Sequence, residues 1–305
     1  MKIFVTGANG FIGSAVSIGM AGRGHNVLAL SRQAMSHVQL PPTLSPLQTL
    51  ITKEAIGPLL AEQSPDTLIH CVGASTVYQA QEAPHQDYLN TVCSVAEMLE
   101  AIRTHSKNTV FILISSASVY GDRNGDRLTE TLIPQPISVY GYNKWLAELL
   151  VQQYATQFGV ATLVVRPFSV YGEGLKKQVI FDICRKIVDS SKSIQIDGTG
   201  NEIRDFIHID DVVTGIAHLV QYRQTGTINL GTGQPTKLVE LVKWLIEQLA
   251  PQMDFSFTGK PSLRNPQSLL ADTSLAELLG IHPVINIEEG LMRVSNEFVH
   301  ELKGR

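Results

Sequence analysis

Short apolar runs recur along the first half of the chain, and each run ends at glycine or polar residues. The runs lie at 3–5, 27–30, 67–70, 110–114 and 162–165. Their lengths and their lack of alternation are typical of strands that are buried on both faces. Segments with apolar residues at helical spacing lie between them, at 11–22, 88–104 and 138–158. Strands that alternate with helices predict βαβ units and an α/β fold with a parallel sheet.

The pattern is looser after Arg166-Pro167. Helical spacing returns at 176–190, 210–222 and 236–249, with short strand-like pieces between these segments. We therefore predict a larger lobe over 1–165 and a smaller α/β lobe over 166–305, some segments of which return to the first sheet. The stretch 33–50 is rich in Pro, Ser, Gln and Thr, which predicts a surface loop.

Composition narrows the class of protein. Of the 305 residues, 44% are hydrophobic and 17% are charged, which excludes intrinsic disorder. A net charge of −4 gives no basic field for nucleic acid or an anionic membrane. No apolar run is long enough to span a bilayer, and glycines interrupt the N-terminus where a signal peptide needs an apolar stretch. Three widely spaced cysteines fit a reducing compartment, so we expect a cytoplasmic protein.

A glycine-rich turn, TGANGFIG at 6–13, follows the first predicted strand and opens the first predicted helix. Gly7 permits a tight turn, Gly10 lets backbone approach a pyrophosphate, and Gly13 allows close packing of helix on strand. The free N–H groups and positive dipole end of the helix favour a phosphate. This context predicts a doubly wound, Rossmann-type domain that binds a dinucleotide.

The end of the second predicted strand distinguishes NAD from NADP. An acid there would bind the adenine ribose 2′-hydroxyl of NAD, but this strand ends Leu30-Ser31-Arg32-Gln33. A hydroxyl followed by a guanidinium suits a 2′-phosphate, so Ser31 and Arg32 favour NADP over NAD.

Candidate acid–base chemistry lies at the start of the 138–158 helix. Tyr140 and Lys144 are four residues apart and share a face. An ammonium beside the phenol would lower its pKa and make it a usable acid or base. Val-Tyr-Gly also occurs around Tyr120 and Tyr171, but only Tyr140 has a lysine four residues later. Ser116 follows the clearest strand, at an edge where doubly wound sheets bind ligands.

Several motifs together resemble the extended short-chain dehydrogenase/reductases, in particular the NAD-dependent epimerase/dehydratase branch that acts on nucleotide sugars. They are TGANGFIG (6–13), ILISSASVYG (112–121), YGYNK (140–144), VVRPFSVYG (164–172), RDFIHIDDV (204–212) and INLGTG (228–233). These motifs cover most of the chain. The resemblance implies a nucleoside-diphosphate sugar as substrate.

The resemblance and the residue patterns together give expected roles for individual residues. The catalytic group is Ser116, Tyr140 and Lys144. Besides Tyr140 and Lys144, the residues expected at the cofactor are Gly7, Gly10, Phe11, Ile12, Gly13, Ser31, Arg32, Cys71, Val72, Gly73 and Phe168. Besides Ser116, those expected at the substrate are Ser75, Ser169, Arg204 and Arg264, with Arg204 on the diphosphate. An apolar stripe at Trp145, Leu146, Leu149 and Leu150 forms core or a dimer face, and the resemblance implies a homodimer paired through this helix and the 88–104 helix.

Departures from the family pattern limit the chemistry. The family's 4,6-dehydratases have Thr-Asp-Glu where this chain has Ser116-Ala117-Ser118, so that dehydration is not expected. Our leading hypothesis is reduction of a 4-keto sugar by NADPH. The alternative is a 4-epimerase that retains NAD and uses the same residues. A non-catalytic dinucleotide sensor is a more distant alternative. Such proteins tend to lose the Tyr or the Lys, whereas this chain keeps both.

Two histidine positions are interpreted as structural. His208, Asp210 and Asp211 do not have the partners of a metal site, so we expect no metal, with Asp210 or Asp211 capping a helix that begins at Val212. His70 ends a strand and is expected to be a hydrogen-bonded core residue.

Overall fold

The computed structural model describes residues 1–35, 40–73, 76–123, 125–190, 192–261 and 265–303. The strands are β1 (Lys2–Thr6), β2 (Asn26–Ser31), β3 (Leu44–Gln48), β4 (Thr67–His70), β5 (Val110–Ile114), β6 (Arg127–Leu128), β7 (Thr162–Pro167), β8 (Ser169–Tyr171), β9 (Ser193–Ile196), β10 (Ile203–Arg204), β11 (Phe206–His208), β12 (Gly226–Leu230), β13 (Thr236–Lys237), β14 (Asp254–Phe257) and β15 (Ser268–Ala271).

The α-helices are α1 (Phe11–Gly22), α2 (Lys53–Gln63), α3 (Val77–Glu82), α4 (Pro84–Tyr88), α5 (Ser94–His105), α6 (Val139–Phe158), α7 (Gln178–Asp189), α8 (Ile209–Gln221), α9 (Leu238–Leu249), α10 (Ser274–Leu278) and α11 (Ile287–Lys303). A π-helix spans Leu89–Cys93 and a 3₁₀ turn spans Ala117–Tyr120. Within the described ranges, no helix is both long and apolar enough to cross a membrane.

Seven of the described strands form the central sheet, in the order β12-β7-β5-β4-β1-β2-β3. Every pair of neighbours in this sheet is parallel. The chain leaves β1 towards β2 on one side and later returns to β4 on the other. The order therefore reverses between β1 and β4, which confirms the predicted doubly wound, Rossmann-type sheet.

Apolar cores cover both faces of this sheet. Ile3 and Val5 pack on one face with Val16 of α1 and Ile216 of α8. Phe4 points to the opposite face and packs in a second core with α2, α5 and α6. Because successive residues of a strand point to opposite faces, burial on both sides explains the unbroken apolar run of β1.

The second half of the chain contributes to two regions. β12 extends the central sheet beside β7, and α8 packs on α1. Helices α7, α9 and α11 enclose a separate apolar core with β9, which includes Ile183, Leu241 and Val294. Short strands, among them β10 beside β15 and β11 beside β8, connect this region to the ends of the central strands. The boundary at residue 165 stays a prediction.

The prediction of a surface loop over 33–50 was wrong for part of that stretch. β3 pairs in parallel with β2 and forms the edge of the sheet. Leu44 is buried, whereas Ser45 and Pro46 are exposed, so the apolar signal is weak. Pro46 lacks an N–H, which an edge strand tolerates.

The predicted 88–104 helix is divided in the structure. α4 ends at Tyr88, the π-helix follows, and α5 begins at Ser94. α2 was not predicted. Its N-terminus is capped by Thr52, whose hydroxyl accepts from the N–H of Ala55. Pro58 and Gly57 within α2 obscure its helical pattern.

Candidate active site

The glycine-rich turn lies at the switch point of the sheet, between the ends of β1 and β4. Gly7 has φ +73°, and a Cβ there would lie 2.9 Å from the carbonyl carbon of Cys71. A Cβ on Gly13 would lie 2.2 Å from the carbonyl oxygen of Gly7. Gly10 precedes α1, and no described side chain caps that helix. The turn thus leaves a helix N-terminus open to an anion, which fits the pyrophosphate of a dinucleotide.

Phe11 and Ile12 occupy the first turn of α1 and are half-buried. Cys71, Val72 and Gly73 follow β4, and the N–H of Cys71 donates to the carbonyl of Thr6 at 3.1 Å. The structure therefore places these predicted cofactor residues at the adjacent ends of β1 and β4.

The end of β2 carries Ser31 and Arg32. The Ser31 hydroxyl donates to the carbonyl of Gln33 at 2.5 Å. Arg32 is exposed, and its Nη1 donates to Oδ1 of Asn90 at 3.4 Å. A guanidinium with one long hydrogen bond at the surface is free to meet a phosphate at little cost in stability.

The catalytic candidates Ser116, Tyr140 and Lys144 come together at the end of β5. Ser138 caps α6, since its Oγ accepts from the N–H of Gly141 at 3.1 Å. This places Tyr140 in the first turn of α6, where its hydroxyl hydrogen-bonds the Ser116 side chain. The Lys144 ammonium lies 5.9 Å from the centre of the Tyr140 ring and donates to the carbonyl of Ile114 at 2.9 Å.

The electrostatics of this group correct one expectation. Burial raises the pKa of Tyr140, the charge of Asp87 raises it further, and only the hydrogen bond from Ser116 lowers it. The ammonium of Lys144 donates to the Ile114 carbonyl, and the pKa of Tyr140 is raised rather than lowered. Burial in turn lowers the pKa of Lys144. The hydroxyl of Ser116 is therefore the group that favours the phenolate.

Two neighbours of Lys144 are held uncharged. His70 is fully buried, with Thr6 Oγ1 at 2.8 Å from Nδ1 and Ser94 Oγ at 3.0 Å from Nε2, which confirms it as a hydrogen-bonded core residue. Burial lowers the pKa of His70 to about 3, and Lys144 lowers it in the same direction. Burial raises the pKa of the Cys71 thiol to about 12.

A buried ion pair lies under the catalytic group. Arg166 at the end of β7 donates to both carboxylate oxygens of Glu148, at 3.1 Å and 2.6 Å. Ser115 also donates to Glu148, at 2.5 Å. Glu148 follows Lys144 by one helical turn, so this pair ties α6 to the ends of β5 and β7. Burial of a charged pair requires such complete pairing.

Phe168, which was expected at the cofactor, and the substrate candidates Ser169 and Arg204 lie between the end of β7 and β10. Phe168 follows β7 and is buried, with its ring 6.4 Å from that of Tyr120. Ser169 is half-exposed at the start of β8, and its N–H donates to Asp205 O at 2.9 Å. Arg204 is half-buried in β10, and its Nη1 donates to the carbonyl of Ile203 at 2.8 Å. Ser75 and Arg264 lie outside the described residues.

The cap of α8 differs from the expectation. The helix begins at Ile209, and Nδ1 of His208 accepts from the N–H of Asp210 at 3.2 Å. Asp211 instead accepts from the backbone N–H groups of Val284 and Ile285. Neither aspartate caps the helix, because the turn begins earlier than the apolar pattern indicated. Among the described residues no group of His, Cys, Asp and Glu could hold a metal.

One acidic residue beside the catalytic group was not predicted from the sequence. Asp87 of α4 is buried, and its Oδ2 accepts from Nδ2 of Asn143 at 2.7 Å. Asn143 directly precedes Lys144. In the sequence, Asp87 is only an acidic residue near the end of a helix with a weak apolar pattern. That pattern does not show whether its carboxylate is buried or exposed to solvent.

A doubly wound parallel sheet with a glycine-rich turn after its first strand defines the Rossmann class of dinucleotide-binding proteins. The chain belongs to the NAD dependent epimerase/dehydratase family, whose model matches residues 3–231. This confirms the family indicated by the sequence motifs.

Relatives cover nearly the whole chain. A Bacillus subtilis protein described as an uncharacterized UDP-glucose epimerase is 28% identical, over 95% of this chain and 96% of its own length. The GDP-6-deoxy-D-mannose reductase of Pseudomonas aeruginosa is 27% identical, over 97% of both chains. The solved UDP-glucuronic acid 4-epimerase of Bacillus cereus, in complex with UDP-glucuronic acid and NAD, is 25% identical with a TM-score of 0.88, covering 98% of this chain and 99% of that one.

Proposed function

We propose that this protein interconverts the C4 epimers of a nucleoside-diphosphate sugar with a bound NAD. The observation that carries hydride transfer at C4 is the meeting of Ser116, Tyr140 and Lys144 beside an open glycine turn. The similarity to a 4-epimerase in complex with a UDP-sugar and NAD supports it. The epimerase therefore takes precedence over the reductase favoured by the sequence alone.

The cofactor is assigned to the crevice at the switch point. Gly7, Gly10 and Gly13 would hold its pyrophosphate, and Lys144 would meet the ribose beside Gly73, where an added Cβ would lie 3.1 Å from Nζ. Bound there, a nicotinamide dinucleotide supplies hydride acceptance and return at the sugar carbon.

The chain's own residues manage the proton. Tyr140 takes the proton of the C4 hydroxyl as that carbon is oxidised and returns it when the carbon is reduced. Ser116 hydrogen-bonds the same oxygen and stabilises the phenolate. Arg204 holds the diphosphate, so that the sugar can turn over between the two half-reactions while its nucleotide stays in place.

Reduction of a 4-keto sugar with NADPH is the second candidate. A specific observation favours it: β2 ends at Ser31 and is followed by the exposed Arg32, without an acid for the ribose 2′-hydroxyl. The similarity to the GDP-6-deoxy-D-mannose reductase supports this candidate too. Both candidates use Ser116, Tyr140 and Lys144 in the same roles.

The dinucleotide that copurifies with the protein distinguishes the candidate functions. The protein is denatured, and the released dinucleotide is identified and quantified by chromatography. Stoichiometric NAD, with conversion of UDP-glucose or UDP-glucuronic acid to its C4 epimer without added cofactor, supports the epimerase. An empty protein that oxidises added NADPH with a 4-keto nucleotide sugar supports the reductase. Binding of dinucleotide without turnover of either substrate supports the sensor.

Substitution of Arg32 tests whether its side chain selects NADP. Arg32→Ala should weaken NADPH binding by about 1–3 kcal/mol, because it removes a charge-assisted hydrogen bond to the 2′-phosphate. NADH has no 2′-phosphate, so its affinity should hardly change. Fluorescence titration of both cofactors measures this, and an equal loss for both would refute the role.

The Arg204 side chain tests the diphosphate assignment. Burial lowers the pKa of Arg204, and its charge faces Glu202 and Asp122 without a direct ion pair to a described residue. Arg204→Ala should raise the KM for the sugar nucleotide by roughly tenfold or more, since a charge-assisted contact contributes about 1.5–3 kcal/mol. Dinucleotide affinity should stay unchanged. A loss of dinucleotide affinity instead would place Arg204 at the other pocket.

A homodimer is the proposed assembly. Three leucines are each about two-fifths exposed: Leu146 and Leu149 of α6, and Leu89 of the π-helix. They lie on the two helical segments through which the family resemblance implies that two copies pair. Burial of these side chains against a second copy would remove apolar surface from water.

A further inference from the structure

Asp87 is a buried carboxylate whose direct partners are neutral. Its side chain is 3% exposed. Oδ1 accepts from the hydroxyl of Thr91 at 3.0 Å, and Oδ2 accepts from Nδ2 of Asn143 at 2.7 Å. Within the described residues it forms no ion pair. A buried charge held only by neutral donors is costly unless a cation lies near.

Lys144 is the matching buried cation. Its side chain is 4% exposed, and its ammonium donates to a backbone carbonyl rather than to a carboxylate. Thr91 and Lys144 converge on Gly73, where an added Cβ would lie 3.2 Å from Thr91 Oγ1 and 3.1 Å from Lys144 Nζ. Asp87 is therefore linked to the site of the ammonium through Thr91, which lies beside the same glycine as Lys144 Nζ, and through Asn143, which directly precedes Lys144 in α6.

The other titratable groups that face Lys144 are either uncharged at neutral pH or already paired with another cation. His70 and Cys71, after β4, are uncharged at neutral pH because burial lowers the histidine pKa to about 3 and raises the thiol pKa to about 12. Glu148, on the same helix, also raises the pKa of Lys144, but it is paired through both oxygens with Arg166. Tyr140 is neutral at neutral pH, since burial raises its pKa. Asp87 is the carboxylate acting on Lys144 that has no ion-pair partner among the described residues.

We propose that Asp87 is the positioning residue of this active site: its carboxylate, anchored by Thr91 and Asn143, is the counter-charge that holds Lys144 as an ammonium beside Tyr140. This inference rests on the proposed function for its catalytic meaning, although the electrostatic contact itself does not require turnover. The π-helix at Leu89–Cys93 places Thr91 one turn after Asp87, as π-helices often do at functional sites.

The charge of Asp87 has a defined direction of effect. It raises the pKa of Lys144 and so favours the ammonium, and it raises the pKa of Tyr140 and so favours the neutral phenol. Removal of the charge should therefore move both titrations to lower pH. If Asp87 were merely structural, its substitution would lower the stability of the protein without moving either titration.

Asp87→Asn removes the charge and keeps the volume. We expect the phenolate absorbance of Tyr140, isolated as the difference between each protein and the same protein carrying Tyr140→Phe, to appear at lower pH than in the parent chain. The limb of the kcat profile that reports Tyr140 should shift in the same direction. An unmoved phenolate titration overturns the proposal whether or not any sugar is turned over. A shifted titration, together with a parent chain that forms no C4 epimer, supports the proposal and refutes the proposed function instead.

A charge exchange supplies the second variant. Asp87→Asn combined with Asn143→Asp restores one carboxylate and one amide in contact, so the phenolate titration should return towards that of the parent chain. Asp211→Asn is the matched control, because Asp211 is also buried but accepts from the backbone N–H groups of Val284 and Ile285. It should lower stability and leave the Tyr140 titration in place. Failure of the exchange to restore the titration, or an equal shift in the control, overturns the proposal.

Discussion

Tyr140→Phe should reduce turnover by about 10²–10⁴ while the protein keeps its affinity for dinucleotide. The substitution preserves the ring in the first turn of α6 and removes only the hydroxyl that Ser116 contacts. The C4 oxygen then has no residue to take or return its proton. Lys144 and the glycine turn remain, so cofactor binding should be nearly unchanged. Steady-state rates with the sugar nucleotide and fluorescence titration with dinucleotide measure the two effects.

The two other Val-Tyr-Gly tyrosines provide matched controls with different expected stabilities. The Tyr120 hydroxyl donates to Asn229 at 2.7 Å and accepts from Arg166 at 2.9 Å. Tyr120→Phe should therefore lower the free energy of unfolding by about 1–3 kcal/mol. The buried Tyr171 hydroxyl has no hydrogen-bond partner in the described structure, so Tyr171→Phe should be neutral or stabilising. Full activity of Tyr140→Phe beside an inactive control would refute the acid–base assignment.

The sequence was sufficient for those elements whose signal is local. Buried strands such as β1 and β5 are continuous apolar runs because both of their faces are covered. The glycine turn was recognisable because its glycines contact each other: an added Cβ on Gly13 would clash with the carbonyl oxygen of Gly7. Tyr140 and Lys144 share a face because of helical periodicity. In each case residues close in sequence determine the structure.

Other elements depend on partners distant in sequence. β3 is a strand because its backbone pairs with β2, although its side chains are mostly exposed. The break between α4 and α5 leaves the helical spacing of apolar residues almost unchanged, so the pattern at 88–104 indicated one helix. Edge pairing and a π-helix both leave little trace in hydrophobic periodicity.

The electrostatics of the site were the least predictable part. Proximity of Tyr140 and Lys144 in sequence implied a lowered phenol pKa, whereas burial raises it. Asp87 affects this balance from 53 residues before Tyr140, a separation that only the fold removes. Burial and long-range charges decide a pKa, and neither is a property of a short motif.

The Glu148–Arg166 pair should give the largest change in stability. Glu148→Leu leaves the guanidinium of Arg166 buried without its carboxylate and removes the acceptor of Ser115. Loss of one partner of a buried pair costs about 3–5 kcal/mol, so the midpoint of urea unfolding should fall markedly. Because Glu148 ties α6 to the ends of β5 and β7, turnover should also fall, through displacement of Tyr140 and Lys144 rather than through lost chemistry.

The double variant Glu148→Leu with Arg166→Met separates the charge from the packing. It removes both buried charges and keeps apolar volume, so most of the lost free energy of unfolding should return. Arg166 also donates to the Tyr120 hydroxyl, which remains bonded to Asn229 in the double variant, so recovery should fall short of complete. A double-mutant cycle from urea unfolding gives the coupling energy of the pair. If the two single losses simply add in the double variant, the pair is not coupled, and Glu148 and Arg166 stabilise α6 and β7 independently.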